Sequence, residues 1–255
     1  MVRRSRRPQF VFLHGYTTPY PGAGLWKRLF EAEGAGEIEV HTPVAPSGVV
    51  RRDPFNPKGR PSWFRYATDH SALVPPRFDR PNFDDVLHGM YDARGTKSDG
   101  SLWGVIERAV TAAGSADRVV LAGESQGGTM AALLGFEWNR VHPREQLGAL
   151  GLIRTAVDPH TWQPRPPGQP IVDDAEWNIS PAPSSTIVHL VLGEADRTFR
   201  PWFSIASLGP LLDARASNGG VSVEVIPGVG HADHDRLVYR TYAQRLLRRW
   251  PTSVG

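Results

Sequence analysis

A serine between glycines marks the middle of the chain. The segment 123–127 reads GESQG and lies between an apolar run at 119–122 and a helical pattern at 128–138. A serine on a tight turn from strand to helix presents its hydroxyl at the carboxyl end of a sheet, and the glycines let the two elements approach closely. An ordinary glycine-rich turn also fits this pattern, so Ser125 is a candidate nucleophile that needs partners elsewhere.

An acid and a histidine follow the next apolar runs in the order that such a serine requires. Residues 187–192 are followed by GEAD, which ends at Asp196, and residues 221–226 are followed by PGVGH, which ends at His231. A serine hydroxyl needs a base, and the base needs a carboxylate that holds its tautomer. We therefore predict Ser125 as nucleophile, His231 as general base and Asp196 as the carboxylate that orients the base.

Two alternatives compete for the acid and the histidine. Glu194 could replace Asp196, but it lies nearer the end of the preceding strand, which favours Asp196. A metal site is a further possibility, because His231 is followed by Asp233, His234 and Asp235. No third or fourth ligand at zinc-like spacing accompanies them, so we interpret them as the acidic start of a helix.

The oxyanion of a tetrahedral intermediate needs backbone donors near Ser125. The segment 14–16, HGY, follows the first apolar run, and Gly15 lets a backbone N–H turn toward the nucleophile. We predict the oxyanion hole from the N–H groups of Gln126 and Tyr16. His14 is expected to brace the loop rather than to take part in catalysis.

Apolar runs and helical patterns alternate along the chain. This alternation predicts a doubly wound α/β architecture with a mostly parallel sheet flanked by helices. Strands are predicted at 10–13, 38–42, 119–122, 150–157, 187–192 and 221–226. Helices are predicted around 25–30, 102–110, 128–138, 201–216 and 235–250.

Two long segments without periodicity, 43–82 and 158–185, are rich in proline and aromatic residues. Loops of this length inside a compact domain are usually functional or disordered, and the aromatic content favours order, so we expect substrate-side loops or a small cap rather than plain surface loops. The four arginines within 1–8 are read as a solvated basic tail. The 255 residues are expected to form one domain, 1–255.

Composition excludes several function classes. The chain has no cysteine, which rules out disulfides, thiolate metal sites and a cysteine nucleophile. No apolar run approaches the roughly 18 residues of a membrane span, and we read no export signal, which predicts a cytoplasmic protein. The arginines are scattered rather than clustered, so the net charge of +3 predicts no nucleic-acid partner.

Five segments in order resemble the phospholipase/carboxylesterase family of α/β hydrolases, which includes acyl-protein thioesterases. They are LHG at 13–15, PSWF at 61–64, GESQGG at 123–128, GEAD at 193–196 and PGVGH at 227–231. The resemblance implies the α/β-hydrolase fold and a cytoplasmic carboxylesterase, thioesterase or lysophospholipase without metal or cofactor. It also implies a small-molecule or acylated substrate, a monomer or homodimer, and substrate contacts from Trp63 and Phe64.

The chain departs from the family pattern at three places, and two other functions stay open. Glu124 stands where an apolar residue is usual, Thr17 and Thr18 replace a small acidic turn, and 158–185 is longer than its equivalent. The surface that contacts the acyl group of the substrate is therefore expected to differ from that of the family. A non-catalytic ligand-binding protein of the same fold and a serine peptidase or lipase are the alternatives, because fold does not fix function.

Overall fold

Six parallel strands form the central sheet of the computed structural model. The structure describes residues 7–15, 20–34, 36–45, 62–63, 101–157, 185–209, 220–231, 233 and 235–250. The strands lie side by side in the order β2-β1-β3-β4-β5-β6. They are β1 (Gln9–Leu13), β2 (Glu39–His41), β3 (Val119–Glu124), β4 (Ala149–Ile153), β5 (Ile187–Gly193) and β6 (Val221–Ile226).

Helices connect and flank these strands. A short 3-10 turn at Ala116–Arg118 leads into β3. The described helices are α1 (Tyr20–Glu33), α2 (Leu102–Ala113), α3 (Gln126–Val141), α4 (Pro201–Ser207) and α5 (Arg236–Arg249). Sequence signals set some of their ends: Ser101 caps α2 through its hydroxyl, and the Asp235 carboxylate accepts the Leu237 N–H at the start of α5.

Both faces of the central strands β1, β3, β4 and β5 are buried, which explains why these strands read as nearly continuous apolar runs, whereas the edge strand β6 leaves Val223 and Val225 exposed. Successive side chains of a strand point to opposite faces. In β1, Phe10 and Phe12 join a cluster with α1 and α5, whereas Val11 and Leu13 join a second cluster with α2 and α3. The alternating α/β architecture predicted from the sequence is confirmed.

One predicted strand boundary was wrong. The strand predicted at 150–157 ends at Ile153. Arg154 has a φ of 44°, a left-handed conformation that stops an extended strand. The helix predicted at 201–216 is described only to residue 209, with α4 ending at Ser207.

The sheet order indicates where a crevice is expected at its carboxyl edge, between the ends of β1 and β3. The chain passes from β1 outward to β2 and then returns to β3 on the other side of β1. Where a parallel sheet changes winding direction in this way, the loops after the two strands separate and leave room for a ligand. His14 follows β1 and Ser125 follows β3, so the predicted nucleophile lies at this point.

Several sequence predictions lie outside the described residues. They concern Tyr16, Phe64, His234 and most of the basic tail and of the two long segments, namely 1–6, 46–61, 64–82 and 158–184. Among the helices that the structure describes, none has the length and apolar character needed to cross a membrane.

Candidate active site

Ser125 occupies a strained turn between β3 and α3. Its backbone has φ 52° and ψ −121°, a conformation that costs a non-glycine residue on the order of 1–3 kcal/mol. Neighbouring groups hold it there: the Ser125 N–H donates to the Ile153 carbonyl at 2.9 Å, and the Thr155 hydroxyl donates to the Ser125 carbonyl at 2.8 Å. This conformation puts the side chain at the tip of the turn, at the start of α3.

The glycines beside Ser125 are required by close backbone contacts. A Cβ on Gly127 would overlap the carbonyl oxygens of Leu13 and His14, and one on Gly123 would overlap the backbone of Gly127. The turn therefore lies directly against the end of β1. This is the close approach for which the sequence analysis invoked glycine.

Three of the predicted site residues form one hydrogen-bonded chain. His231 Nε2 lies 3.2 Å from Ser125 Oγ, and His231 Nδ1 lies 2.9 Å from Asp196 Oδ2. An ionised carboxylate only accepts hydrogen bonds, so Nδ1 carries the imidazole proton and Nε2 accepts from the serine hydroxyl. The side chain of Asp196 is fully buried, whereas that of His231 is 24% exposed. The imidazole thus contacts the buried acid on one side and is partly exposed to solvent.

Backbone amides fix the carboxylate of Asp196. Its Oδ1 accepts from the N–H groups of Thr198 and Phe199, both at 2.8 Å, which leaves Oδ2 for His231. The ring of Phe199 packs edge-on against the imidazole at 5.1 Å. Glu194 points elsewhere, because its carboxylate accepts the Gly228 N–H at 3.0 Å. Of the two acids weighed from the sequence, only Asp196 contacts the imidazole.

The loops that carry Asp196 and His231 are joined to each other. The Ala195 N–H donates to the Val229 carbonyl at 2.9 Å. A Cβ on Gly193 would overlap that same carbonyl, so a glycine is needed for the two loops to meet. This contact sets the distance between Asp196 and His231 independently of their own hydrogen bond.

Gln126 connects the turn at Ser125 to the segment that carries Trp63. Its side-chain oxygen accepts from the Ser62 hydroxyl at 3.0 Å and from the Trp63 N–H at 2.9 Å. The backbone N–H of Gln126 lies at the start of α3, the positive end of the helix dipole. The oxyanion donor predicted at Tyr16 lies outside the described residues. The role of the Gln126 N–H therefore stays a prediction.

Trp63 is buried rather than open to the crevice. It is 1% exposed, its ring packs on His14 at 5.0 Å, and its Nε1–H donates to the His14 carbonyl at 2.7 Å. These contacts stabilise the loop after β1. A contact between Trp63 and a substrate stays a prediction.

His14 joins the ends of β1 and β2. Its Nδ1–H donates to the Gly15 carbonyl at 2.7 Å, and its Nε2 accepts from the Ala45 N–H at 3.0 Å. Both nitrogens are used by the neutral ring, and burial lowers the pKa of His14 below 6.5 despite the opposing effects of the Gly15 carbonyl and Glu124. His14 has the bracing contacts expected from the sequence.

Acidification is expected to destabilise the protein through His14. Because its folded-state pKa lies below the unfolded value, the unfolded chain binds more protons than the folded chain around and below about pH 6.5. The free energy of unfolding therefore decreases as the pH is lowered. Urea unfolding between about pH 7.5 and pH 5.5 checks this. His14→Gln should show a shallower fall than wild type, with the remaining slope partly from His41, whose pKa burial also lowers. An identical slope in both proteins would contradict the assignment.

A buried ion pair lies next to Ser125. The carboxylate of Glu124 pairs with the guanidinium of Arg154, and the Trp26 Nε1–H donates to the same carboxylate at 3.3 Å. The pKa of Arg154 is raised: burial opposes its charge, but Glu124 together with Tyr242 and Tyr239 outweighs that effect. Sequence reasoning missed Arg154. The signal was the acidic residue at a turn position that is usually apolar, since a buried carboxylate needs a cationic partner.

The acidic residues near His231 have structural contacts. Asp233 accepts the Gly230 N–H at 2.6 Å, and Asp235 caps α5. Within the described part of the chain, no group of three or more His, Asp or Glu side chains could hold a metal ion.

Solved structures of similar fold include three proteins that align over most of this chain. Esterase PE8 is 19% identical, with a TM-score of 0.57 over 96% of this chain and 93% of its own. Arabidopsis thaliana SOBER1 is 18% identical, with a TM-score of 0.55 over 94% and 99%. Zea mays acyl-protein thioesterase 2 is 15% identical, with a TM-score of 0.55 over 94% and 93%. The chain has the α/β-hydrolase fold. No protein-family model and no curated protein sequence matches it.

The α/β-hydrolase sheet explains how distant residues converge. Ser125, Asp196 and His231 follow β3, β5 and β6, and all three strands end at the same edge. More than a hundred residues separate Ser125 from His231 in sequence, yet the parallel sheet brings their side chains within hydrogen-bonding distance.

Proposed function

We propose that this protein is a serine hydrolase that cleaves carboxylic esters or thioesters through an acyl-enzyme on Ser125. The observation that supports it most strongly is the chain of hydrogen bonds from Ser125 through His231 to Asp196. The strained backbone of Ser125 adds to this, because such strain concentrates at functional sites.

In the first step, Ser125 Oγ attacks the carbonyl carbon of the substrate while His231 Nε2 takes the hydroxyl proton. Asp196 stabilises the resulting imidazolium without itself taking the proton. The carbonyl oxygen becomes an oxyanion held by the Gln126 N–H and the predicted second donor, Tyr16. The bond to the alcohol or thiol then breaks, and His231 gives its proton to that leaving group.

In the second step, water replaces the leaving group. His231 takes a proton from the water, whose oxygen attacks the acyl carbon, and the collapse of this second intermediate releases the acid. The proton returns to Ser125 Oγ, and the enzyme is restored. Both steps use only side chains and backbone donors of the chain, so the proposed mechanism requires no cofactor.

Ester and thioester substrates are favoured over amides by two lines of support. The motifs of the chain resemble those of carboxylesterases and acyl-protein thioesterases, and solved proteins of similar fold carry the names esterase and acyl-protein thioesterase. We extend the proposal to short and medium acyl groups and to a cytoplasmic carboxylesterase, thioesterase or lysophospholipase class.

A substrate panel tests this proposal. We expect wild-type protein to hydrolyse p-nitrophenyl esters of short and medium acyl chains and an acyl-thioester, with little cleavage of a peptide amide. The reason is that alkoxide and thiolate leave more easily than an amine, which needs fuller protonation by His231. Initial rates for each substrate, with Ser125→Ala as the blank, provide the measurement.

The panel also separates the alternatives. A faster rate on the amide than on any ester would favour a peptidase and contradict the proposal. Binding of the ester products with no turnover of any substrate would favour a ligand-binding protein of this fold.

A further inference from the structure

Arg154, like Ser125, has a positive φ. Among the described residues, Ser125 and Arg154 are the two non-glycine residues with a positive φ, 52° and 44°. Such conformations persist when surrounding contacts over-determine them, and they cluster at functional sites. The strain at Ser125 belongs to the nucleophile turn, whereas nothing in the proposed mechanism uses Arg154.

The guanidinium of Arg154 joins the nucleophile turn to the loop that carries the base. Its Nη1 donates to the carbonyl oxygens of Gly230 and His231, both at 2.9 Å, and to that of Asp233 at 3.2 Å. Its Nη2 donates to Glu124, the residue directly before Ser125. One buried side chain thus contacts both sides of the Ser125–His231 hydrogen bond.

The chemistry of this contact calls for arginine. Three carbonyl oxygens that converge on one donor build up negative charge, which a cation relieves, and the planar guanidinium has further donors for a carboxylate. The side chain of Arg154 is 0% exposed, so its charge needs the nearby Glu124. The rings of Tyr239 and Tyr242 complete its surroundings, with centroids 6.0 Å and 5.1 Å from the guanidinium carbon.

We infer that Arg154, neutralised by Glu124, is a positioning residue that holds the His231 loop at hydrogen-bonding distance from Ser125. The inference rests on the proposed function, because it assigns the pair a role in proton transfer between these two side chains. Arg154 itself contacts no reacting atom. Its effect is on how often Ser125 and His231 occupy a reactive geometry.

The double variant Glu124→Gln/Arg154→Met tests the inference. It removes both buried charges together, so that neither is left unpaired, and the introduced glutamine keeps an acceptor for the Trp26 N–H. A displacement of about 1 Å at a reacting centre can lower the rate roughly 100-fold, so we expect kcat on p-nitrophenyl butyrate to fall by about that factor with KM unchanged. The downfield proton NMR signal of His231 Nδ1–H should shift or broaden.

Arg154→Lys gives a second, milder variant. Lysine keeps the charge beside Glu124 but lacks the fork that reaches three carbonyls and a carboxylate together. We expect its kcat to lie between those of wild type and the double variant, again with KM unchanged. If the double variant fails to fold, this variant decides alone: a lowered kcat at constant KM supports the inference, and a wild-type kcat overturns it.

A matched control comes from another buried ion pair among the described residues. Glu137 and Arg140 are 2% and 3% exposed and lie on α3, roughly 18–22 Å along the helix axis from Ser125. Glu137→Gln/Arg140→Met removes two buried charges in the same way but leaves the His231 loop in place. We expect this control variant to have the kcat and KM of the wild type and an unchanged downfield proton NMR signal from His231 Nδ1–H.

The outcomes distinguish the two proposals. A folded Glu124→Gln/Arg154→Met with wild-type kcat, or with a raised KM alone, overturns the positioning role while the proposed function stands. An equal loss of kcat in the control pair also overturns it, since that loss would follow from stability. Absence of ester hydrolysis by wild type overturns the proposed function, and the positioning role with it.

Discussion

Replacing His231 with glutamine is expected to lower kcat for ester hydrolysis by about a millionfold. Glutamine cannot take a proton from Ser125, so the hydroxyl loses the base that lies 3.2 Å away. KM should change little, because the imidazole takes the serine proton during the reaction and does not contribute to substrate binding. Single-turnover kinetics on p-nitrophenyl butyrate measure the effect on acylation directly.

Coupling between the base and the nucleophile provides the control. When residues act as one unit, removing a second member after the first has little further effect. Ser125→Ala/His231→Gln should therefore be about as slow as either single variant. Additive losses, or a His231→Gln variant with wild-type kcat, would contradict the assignment of His231 as base.

Replacing Asp196 with asparagine is expected to lower kcat by about 10,000-fold. The carboxylate accepts the Nδ1–H of His231 at 2.9 Å, and this contact leaves Nε2 as the acceptor for the serine hydroxyl. Asparagine can donate its amide N–H to Nδ1 and so favours the opposite tautomer, in which Nε2 carries the proton. The rate of acyl-enzyme formation, followed by stopped flow, checks this expectation.

Glu194→Gln is the matched control for Asp196. Both acids lie on the loop after β5, but Glu194 is exposed and accepts the Gly228 N–H, a contact that glutamine keeps. We expect kcat to stay at the wild-type value. A larger loss for Glu194→Gln than for Asp196→Asn would reverse the roles of the two acids.

The sheet and the convergence of three loops were predictable from the sequence because burial leaves a direct signal. Strands covered on both faces, such as β3 and β5, must be apolar throughout, and the turns after them are the places where polar side chains reappear. The fold then follows from the alternation of strands with helices. The choice of Asp196 over Glu194 followed from its distance from the strand end.

The contacts that hold these loops in place were not predictable. Arg154 lies thirty residues after Glu124 and seventy-six before Gly230, and no local pattern links them. The end of β4 at Ile153 was not predictable for the same reason. Arg154 adopts a left-handed backbone conformation because tertiary contacts hold it there, and residue propensities do not contain that information. Likewise, nothing in the PSWF segment indicates that Gln126 binds the Ser62 hydroxyl and the Trp63 N–H.

Reaction with a fluorophosphonate, followed by mass spectrometry of the digested protein, tests most directly whether Ser125 is an activated nucleophile. We predict one adduct per chain, on the peptide that contains Ser125, and no labelling of Ser125→Ala under the same conditions. Equal labelling of wild type and Ser125→Ala, or an adduct on a different residue, would contradict it.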